Sequence, residues 1–277
     1  MNVLHPPASP SRRPRAAPET LHPDLWRGHQ YGWHAEHGLP SGFAELDAQL
    51  PGGGWPRRAL TELLLPHPGV GEIRLLSHCL VATQRSGRPV MLFDPPAALS
   101  GWALAQLGLD VDQLLIVVTH SQGNAGPDPA GPWGQHSPRN AGPPVEAGIS
   151  ARLWALEQAL KSGHVGAVLA WLPPRLRSEP LRRLQLVAHA HDGPAVVLRE
   201  MAAARHPSAA PLRLTLHPGG ADVLTLRILK RRGPPASGPL QLDLPAVLSY
   251  SARLRARSGL PQAPVLHPAT FVDMQSY

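Results

Sequence analysis

The stretch Pro66–Ile73 has the spacing of a phosphate-binding loop and carries the wrong side chains for one. Such a loop reads Gly-x-x-x-x-Gly-Lys-Ser/Thr: the glycines let backbone N–H groups curl around the phosphates, the ammonium meets the outer oxygens, and the hydroxyl holds Mg²⁺. Here the frame is Pro66-x-x-x-x-Gly71-Glu72-Ile73. Pro66 has no N–H and a fixed φ. Glu72 puts a negative charge where polyphosphate requires a positive one, and Ile73 has no hydroxyl. Arg74 is the nearest cation, but it lies past the turn on the following helix. A helix N-terminus attracts anions in general, and Glu72 already occupies that positive end. On these residues alone, an ordinary strand-to-helix turn is the simpler account.

The elements that hold this turn follow from hydrophobic spacing. Thr61–Leu65 is a short apolar strand, and a helix begins near Gly71 with Ile73, Leu76 and Leu80 along one face. Val90–Phe93 is a second apolar run, closed by Asp94 and Pro95–Pro96. Leu99, Trp102 and Ala105 mark a short packed helix, and Leu114–Val118 a fully buried strand. A helix over Ser150–Ser162 sets Leu153, Leu156 and Leu160 on one face and stops at Gly163. Val165–Leu172 and Ala195–Leu198 are further central strands, separated by a helix that turns Leu181, Leu184 and Ala188 inward. Leu212–Leu216 and Val223–Lys230 alternate across His217-Pro218-Gly219-Gly220 as an antiparallel hairpin, and Leu240–Leu244 adds an edge strand. The alternation of strand and helix predicts an α/β fold: a mostly parallel central sheet flanked by helices, with a C-terminal antiparallel hairpin.

Composition sets the bounds. The 277 residues suffice for one substantial core plus tails. Three parts are expected: a disordered Pro/Arg-rich arm over 1–24, a core over 25–245 with a Gly/Pro/Asn-rich flexible loop at 119–147, and a partner-binding or disordered tail over 246–277. The formal charge is +7, and only Lys161 and Lys230 are lysines. Neither lysine follows a Gly-x-x-x-x-Gly, so no intact phosphate loop stands elsewhere. A basic chain suits a nucleic-acid or acidic-protein partner. Cys79, the single cysteine, is expected as a buried thiol. No apolar run approaches a membrane span, and no signal peptide is evident, which predicts a cytoplasmic protein with no membrane association. His29, His34 and His37 lack the companions of a metal site; no metal and no cofactor are expected. Trp26 and Trp133 are each either an anchor for a partner or a local cover for the core.

Several ordered motifs resemble the start of the RecA core: Pro40-Ser41-Gly42-x-x-x-Leu46-Asp47-x-x-Leu50, then Gly52-Gly53-Gly54-Trp55-Pro56, Glu62, Ala82-x-Gln84-Arg85-x-Gly87 and the strand ending in Asp94. A narrower resemblance is to the ImuA family of RecA-like proteins. It is carried by Leu25-Trp26-Arg27-Gly28, the run Leu50–Pro56, and Gly69-x-Gly71-Glu72-x-Arg74-Leu75-Leu76 in place of the phosphate loop. The resemblance spans roughly residues 25 to 245 and is strongest before 120.

The RecA resemblance implies a RecA-type fold with its active site dismantled. The water-activating glutamate expected two residues beyond Asp94 is Pro96, and the acid expected at the end of the next central strand is Trp171. Without them phosphoryl transfer has no electrostatic support. A DNA-contacting loop is implied after that strand, where Arg175, Arg177, Arg182 and Arg183 would meet phosphates; a solvated helix face is the alternative. The run holding Lys230, Arg231 and Arg232 resembles a basic strand that reaches a neighbouring subunit's nucleotide, with a solvent-facing strand end as the alternative. The narrower resemblance implies a non-catalytic accessory protein of SOS-induced translesion synthesis. Its partners would be RecA, ImuB (a catalytically inactive Y-family polymerase relative) and an error-prone replicative-type DNA polymerase, with DNA a further candidate. The other member of this fold group to weigh is a SulA-type division inhibitor acting on FtsZ.

Overall fold

The strand Leu60–Leu65 (β1) is buried at every position, and this places it in the middle of the sheet. In a computed structural model of the chain, β1 lies parallel between Ala195–Glu200 (β5) and Leu212–Gly220 (β6). The structure describes residues 37–119, 145–173, 176–220, 222–233, 236, 238–249, 251 and 254. The sheet has eight strands in the order β3-β2-β4-β5-β1-β6-β7-β8, where β2 is Val90–Phe93, β3 Leu114–Val117, β4 Ala167–Trp171, β7 Val223–Lys230 and β8 Leu240–Asp243. β3 through β6 in that order run parallel, and the last two pairings are antiparallel. The predicted α/β architecture with a mostly parallel sheet and an antiparallel C-terminal hairpin is the one observed, and it is consistent with a RecA-like core.

Alternation along the central strands feeds two cores. On one face Leu63, Leu65, Val196 and Leu198 meet Leu75, Leu76, Cys79 and Leu80 of the helix Glu72–Arg85 (α2). Ala44–Asp47 (α1) and Gly101–Gln106 (α3) add Leu46 and Leu104 to the same cluster. On the other face Leu60, Val168 and Val197 meet Leu153, Leu156 and Leu160 of Val145–Lys161 (α4) and Leu181 and Leu184 of Ser178–Ala188 (α5). The helical faces expected for α2, α4 and α5 are the buried ones.

Four expectations are corrected. β3 is not buried: it pairs only with β2 and forms the sheet edge, leaving Leu115, Ile116 and Val118 exposed among the described residues. An apolar run shows a strand but not its place in the sheet. Trp102 is 63% exposed, and Leu104 is the residue α3 buries. His217–Gly220 is the end of β6, bulged at Pro218/Gly220, and the turn is carried past it to Asp222, whose φ is +64°. α4 begins at Val145, inside the stretch expected as loop. The 1–24 arm, residues 120–144 of the expected loop, and all of the 246–277 tail but 246–249, 251 and 254 lie outside the described residues. No described helix is long and apolar enough to cross a membrane.

Candidate functional site

β1 ends at Leu65, and the chain turns through Pro66–Val70 into α2. Gly71, at φ +114°, is the N-cap of α2 and has no side chain to cap it. That φ is accessible to glycine and costly for other residues. A Cβ on Gly71 would also stand 2.4 Å from Cδ1 of Leu244, so the end of that side chain would have to shift.

Glu72 fills the turn. Its carboxylate accepts hydrogen bonds from Gly69 N–H at 2.9 and 3.1 Å and from Gly71 N–H at 3.1 Å, and the residue is buried. Backbone N–H groups at the start of a helix form an anion cradle, and here the anion is a side chain one residue into the helix. Pro66 is exposed at the strand exit, and Ile73 packs its side chain against the apolar core.

The exit of β8 crosses over the same turn. Arg74 donates from Nε to the carbonyl of Pro245 at 2.8 Å and from a terminal nitrogen to that of Leu244 at 3.2 Å, and it pairs with Asp222 in the β6–β7 turn. Leu244 N–H in turn donates to the carbonyl of Asp222 at 2.7 Å. Arg74, the cation nearest the turn, is therefore committed to holding the chain across it.

At the carboxyl end of β2, Asp94 takes a left-handed conformation (φ +49°) and is buried. Its carboxylate accepts from Thr119 N–H at 2.6 Å and Thr119 Oγ1 at 2.7 Å, and it forms an ion pair with Arg152 of α4. Arg152 also reaches Thr119 Oγ1 at 3.1 Å. Burial lowers the pKa of Arg152, and the charge of Asp94 opposes that shift. Pro96 stands half-buried just beyond. Trp171 closes β4 on the α2 side, in one apolar cluster with Val70 and Leu75, and its buried indole nitrogen has no hydrogen-bond partner among the described residues. Gly71 and Glu72 follow β1, Asp94 follows β2 and Trp171 ends β4, so all four stand at the carboxyl end of the parallel strands, the end where open α/β sheets bind ligands.

The basic candidates do not gather there. Arg177, Arg182 and Arg183 are exposed on or beside α5, and Arg183 pairs with Glu157 of α4 at 2.8 Å. Lys230 sits level with Arg213, toward the opposite end of the sheet. Its ammonium donates to the carbonyl of Ser208 at 2.9 Å, and its pKa is lowered by burial and by Arg213. Arg231 donates to the carbonyl of Gln49, and Arg232 is exposed. Arg175, Trp26 and Trp133 lie outside the described residues.

Sequence reading missed Thr119, Arg152 and a second ion cluster. Glu62, fully buried in β1, accepts from Arg199 of β5 at 2.8 Å and Arg213 of β6 at 2.6 Å. Arg213 also donates to the carbonyls of Ala203 and His206, which straps the segment between β5 and β6 to the sheet. The available signal was an acid inside an otherwise apolar strand, since a buried charge requires a partner.

No family model matches the chain. It is similar to RecA proteins: 30% identical over 152 residues to RecA of Enterococcus faecalis, a match covering 53% of this chain and 40% of that protein. It is 32% identical over 83 residues to RecA of Acholeplasma laidlawii, covering 30% of this chain and 25% of the relative. Against the mitochondrial DNA repair protein recA homolog of Dictyostelium discoideum it is 30% identical over 89 residues, covering 32% and 20%. The chain spans a fifth to two fifths of the length of these relatives. The partial homology supports a RecA-like relationship, with which the α/β fold is consistent.

Proposed function

We propose that the chain is a non-catalytic RecA-like accessory protein of SOS-induced translesion synthesis, an adaptor between RecA, an ImuB-type inactive polymerase relative and an error-prone replicative-type polymerase. The observation that carries the non-catalytic part is the Glu72 carboxylate lying in the N–H cradle where a phosphate would sit. A nucleotide would have to displace a buried, tethered anion and then meet no lysine, no Mg²⁺-binding hydroxyl and no activating glutamate, because Glu72, Ile73 and Pro96 stand in their places. A RecA-like core without this chemistry still presents the surfaces of the fold. The relatives it matches are RecA and a DNA repair protein, which supports a place in the DNA-damage response. The adaptor role and its partners rest on the resemblance of Gly69–Leu76 and Leu50–Pro56 to the ImuA family.

The test is co-sedimentation of the purified chain with RecA–ssDNA filaments, with and without nucleotide, alongside an ATPase assay of the chain alone. Association in both conditions without hydrolysis is expected. Failure to associate overturns the adaptor role, and turnover of ATP overturns the non-catalytic reading. Filamentation of cells on expression, with damage-induced mutation frequency unchanged, would favour action on FtsZ instead.

A further inference from the structure

Helices α4 and α5 lie side by side on one face of the sheet, with Leu156, Leu160, Leu181 and Leu184 buried beneath them. Each returns the chain to the start of a parallel strand, β4 or β5, so the two run in the same direction. They are tied between Glu157 of α4 and Arg183 of α5, where one guanidinium nitrogen reaches both carboxylate oxygens at 2.8 and 2.9 Å. Trp154 stands one turn before Glu157 and is 63% exposed. Leu186 stands one turn after Arg183 and is 64% exposed. At a rise of about 1.5 Å per residue and a helix spacing of about 9 Å, the two apolar residues are about 13 Å apart, on a diagonal through the ion pair.

The exposed charges beside this diagonal are mostly positive. Lys161 follows Trp154 by two turns on α4, and Arg182 precedes Leu186 by one turn on α5, spacings that set each on the same side of its helix as the apolar residue. Both are exposed and neither forms an ion pair among the described residues, and the same holds for Arg177 ahead of α5. Glu157 is buried, which leaves Glu179 as the one exposed acid among the described side chains of the two helices. Tryptophan and arginine are the residue types that anchor protein interfaces. A second copy would bring the same cations against these. Nucleic acid fits the charge, but this face offers a base one ring to stack on, and Leu186 would stay bare. An acidic amphipathic helix fits both features. Residues seven or eight positions apart on a helix share a face and lie about 10.5–12 Å apart, close to the diagonal, and carboxylates beside them reach the cations.

We propose that the outer face of α4 and α5 is a docking surface for an acidic amphipathic helix of another protein, which seats two apolar side chains on Trp154 and Leu186 and sets its carboxylates against Lys161 and Arg182. The Glu157–Arg183 pair fixes the spacing of the two helices beneath it. The inference stands on this helix pair and not on the adaptor reading, so either can fail alone.

The test is fluorescence anisotropy on the full chain with a labelled Glu-rich helical peptide of about 18 residues, five turns, bearing two leucines seven positions apart. A scrambled peptide of the same composition, a version with Lys in place of Glu, and an oligo-dT accompany it. The acidic helix is expected to bind, and less tightly as salt is raised. Trp154→Ala with Leu186→Ala should weaken it by about tenfold or more, the loss expected of truncated anchors. Arg182→Glu should weaken it by about threefold or more and reduce its salt dependence. All three side chains are exposed, so the variants should fold as the parent does, which circular dichroism checks. Absence of binding up to millimolar peptide, equal binding of the scrambled peptide, or a double variant that binds as the parent does would each overturn the proposal. Binding of oligo-dT in place of the acidic peptide, lost in Arg182→Glu, would overturn it in favour of a nucleic-acid surface.

Discussion

Removing the carboxylate of Glu72 should both destabilise the protein and open an anion site in it. Two backbone donors, Gly69 N–H and Gly71 N–H, make three contacts with that carboxylate at 2.9 to 3.1 Å, and the residue is 3% exposed. Hydrogen bonds to a charged group contribute about 1.5–3 kcal/mol each, and a carboxylate in the first turn of a helix adds about 0.3–1 kcal/mol. Water entering the vacated space recovers part of this. The expected loss for Glu72→Ala is therefore about 2–4 kcal/mol in urea denaturation. Glu72→Gln keeps one acceptor but turns an NH₂ toward N–H donors, and should cost about 1–3 kcal/mol. The second readout separates a cradle from a mere ion contact. Inorganic phosphate should raise the melting midpoint of Glu72→Ala above a chloride control of matched ionic strength. A ligand at a hundred times its Kd stabilises by about 2.7 kcal/mol. The parent protein should not respond. Phosphate or ATP stabilising the parent as strongly as the variant would refute the idea that the cradle is already filled, and so would a Glu72→Ala protein as stable as the parent.

Two further perturbations test the buried charges. Asp94→Asn leaves Arg152 buried without its anion and should cost about 3–5 kcal/mol, the usual penalty for breaking an interior pair; adding Arg152→Met should recover a large part of it in the same denaturation assay. His191 is buried, and burial together with nearby Arg88 lowers its pKa from 6.5 to about 4. The folded protein then binds this proton less readily than the unfolded chain. The stabilisation should be complete above pH 6.5, fall as the pH drops from 6.5 to about 4, and total about 3 kcal/mol across that window. His191→Gln should flatten that part of the stability–pH profile, and an unchanged slope would exclude His191 as its source.

The regular elements were legible because their signals are local. Val90–Phe93 and Val223–Lys230 occupy the predicted bounds, since Pro and Gly punctuate one and apolar-polar alternation through Leu224–Ile228 marks the other. Position within the sheet was not legible: Leu114–Val117 is as apolar as the central strands, yet among the described residues it pairs with β2 alone. Long-range charge pairing was hidden for a related reason. Glu62 meets partners 137 and 151 residues away, and no window of sequence contains both halves. Arg152 sits one position from Leu153 at the edge of a helical stripe, where an arginine reads as solvated; only the placement of α4 over Asp94 turns it inward. The phosphate turn falls between these cases. Sequence shows an acid where a lysine would stand, but only the backbone path through Gly69 and Gly71 brings that acid back over its own turn.

A turn shaped around an anion faces a physical difficulty once the anion is gone, because its N–H groups are then buried without acceptors. Opening the turn would unravel the start of α2 and the contact of Leu244 with Gly71. A tethered carboxylate solves this without the loss of translational freedom that a bound ligand pays, and it cannot dissociate. The consequence concerns switching. A nucleotide moves an equilibrium only by binding two states of a protein unequally, and that requires the site to be empty in one of them. In this structure Glu72 occupies the cradle, and Arg74 and Asp222 hold the β8 exit across it. The Glu72→Ala protein, whose turn would have an empty and a filled form, is therefore the variant that tests whether an anion bound there can shift this chain between two states.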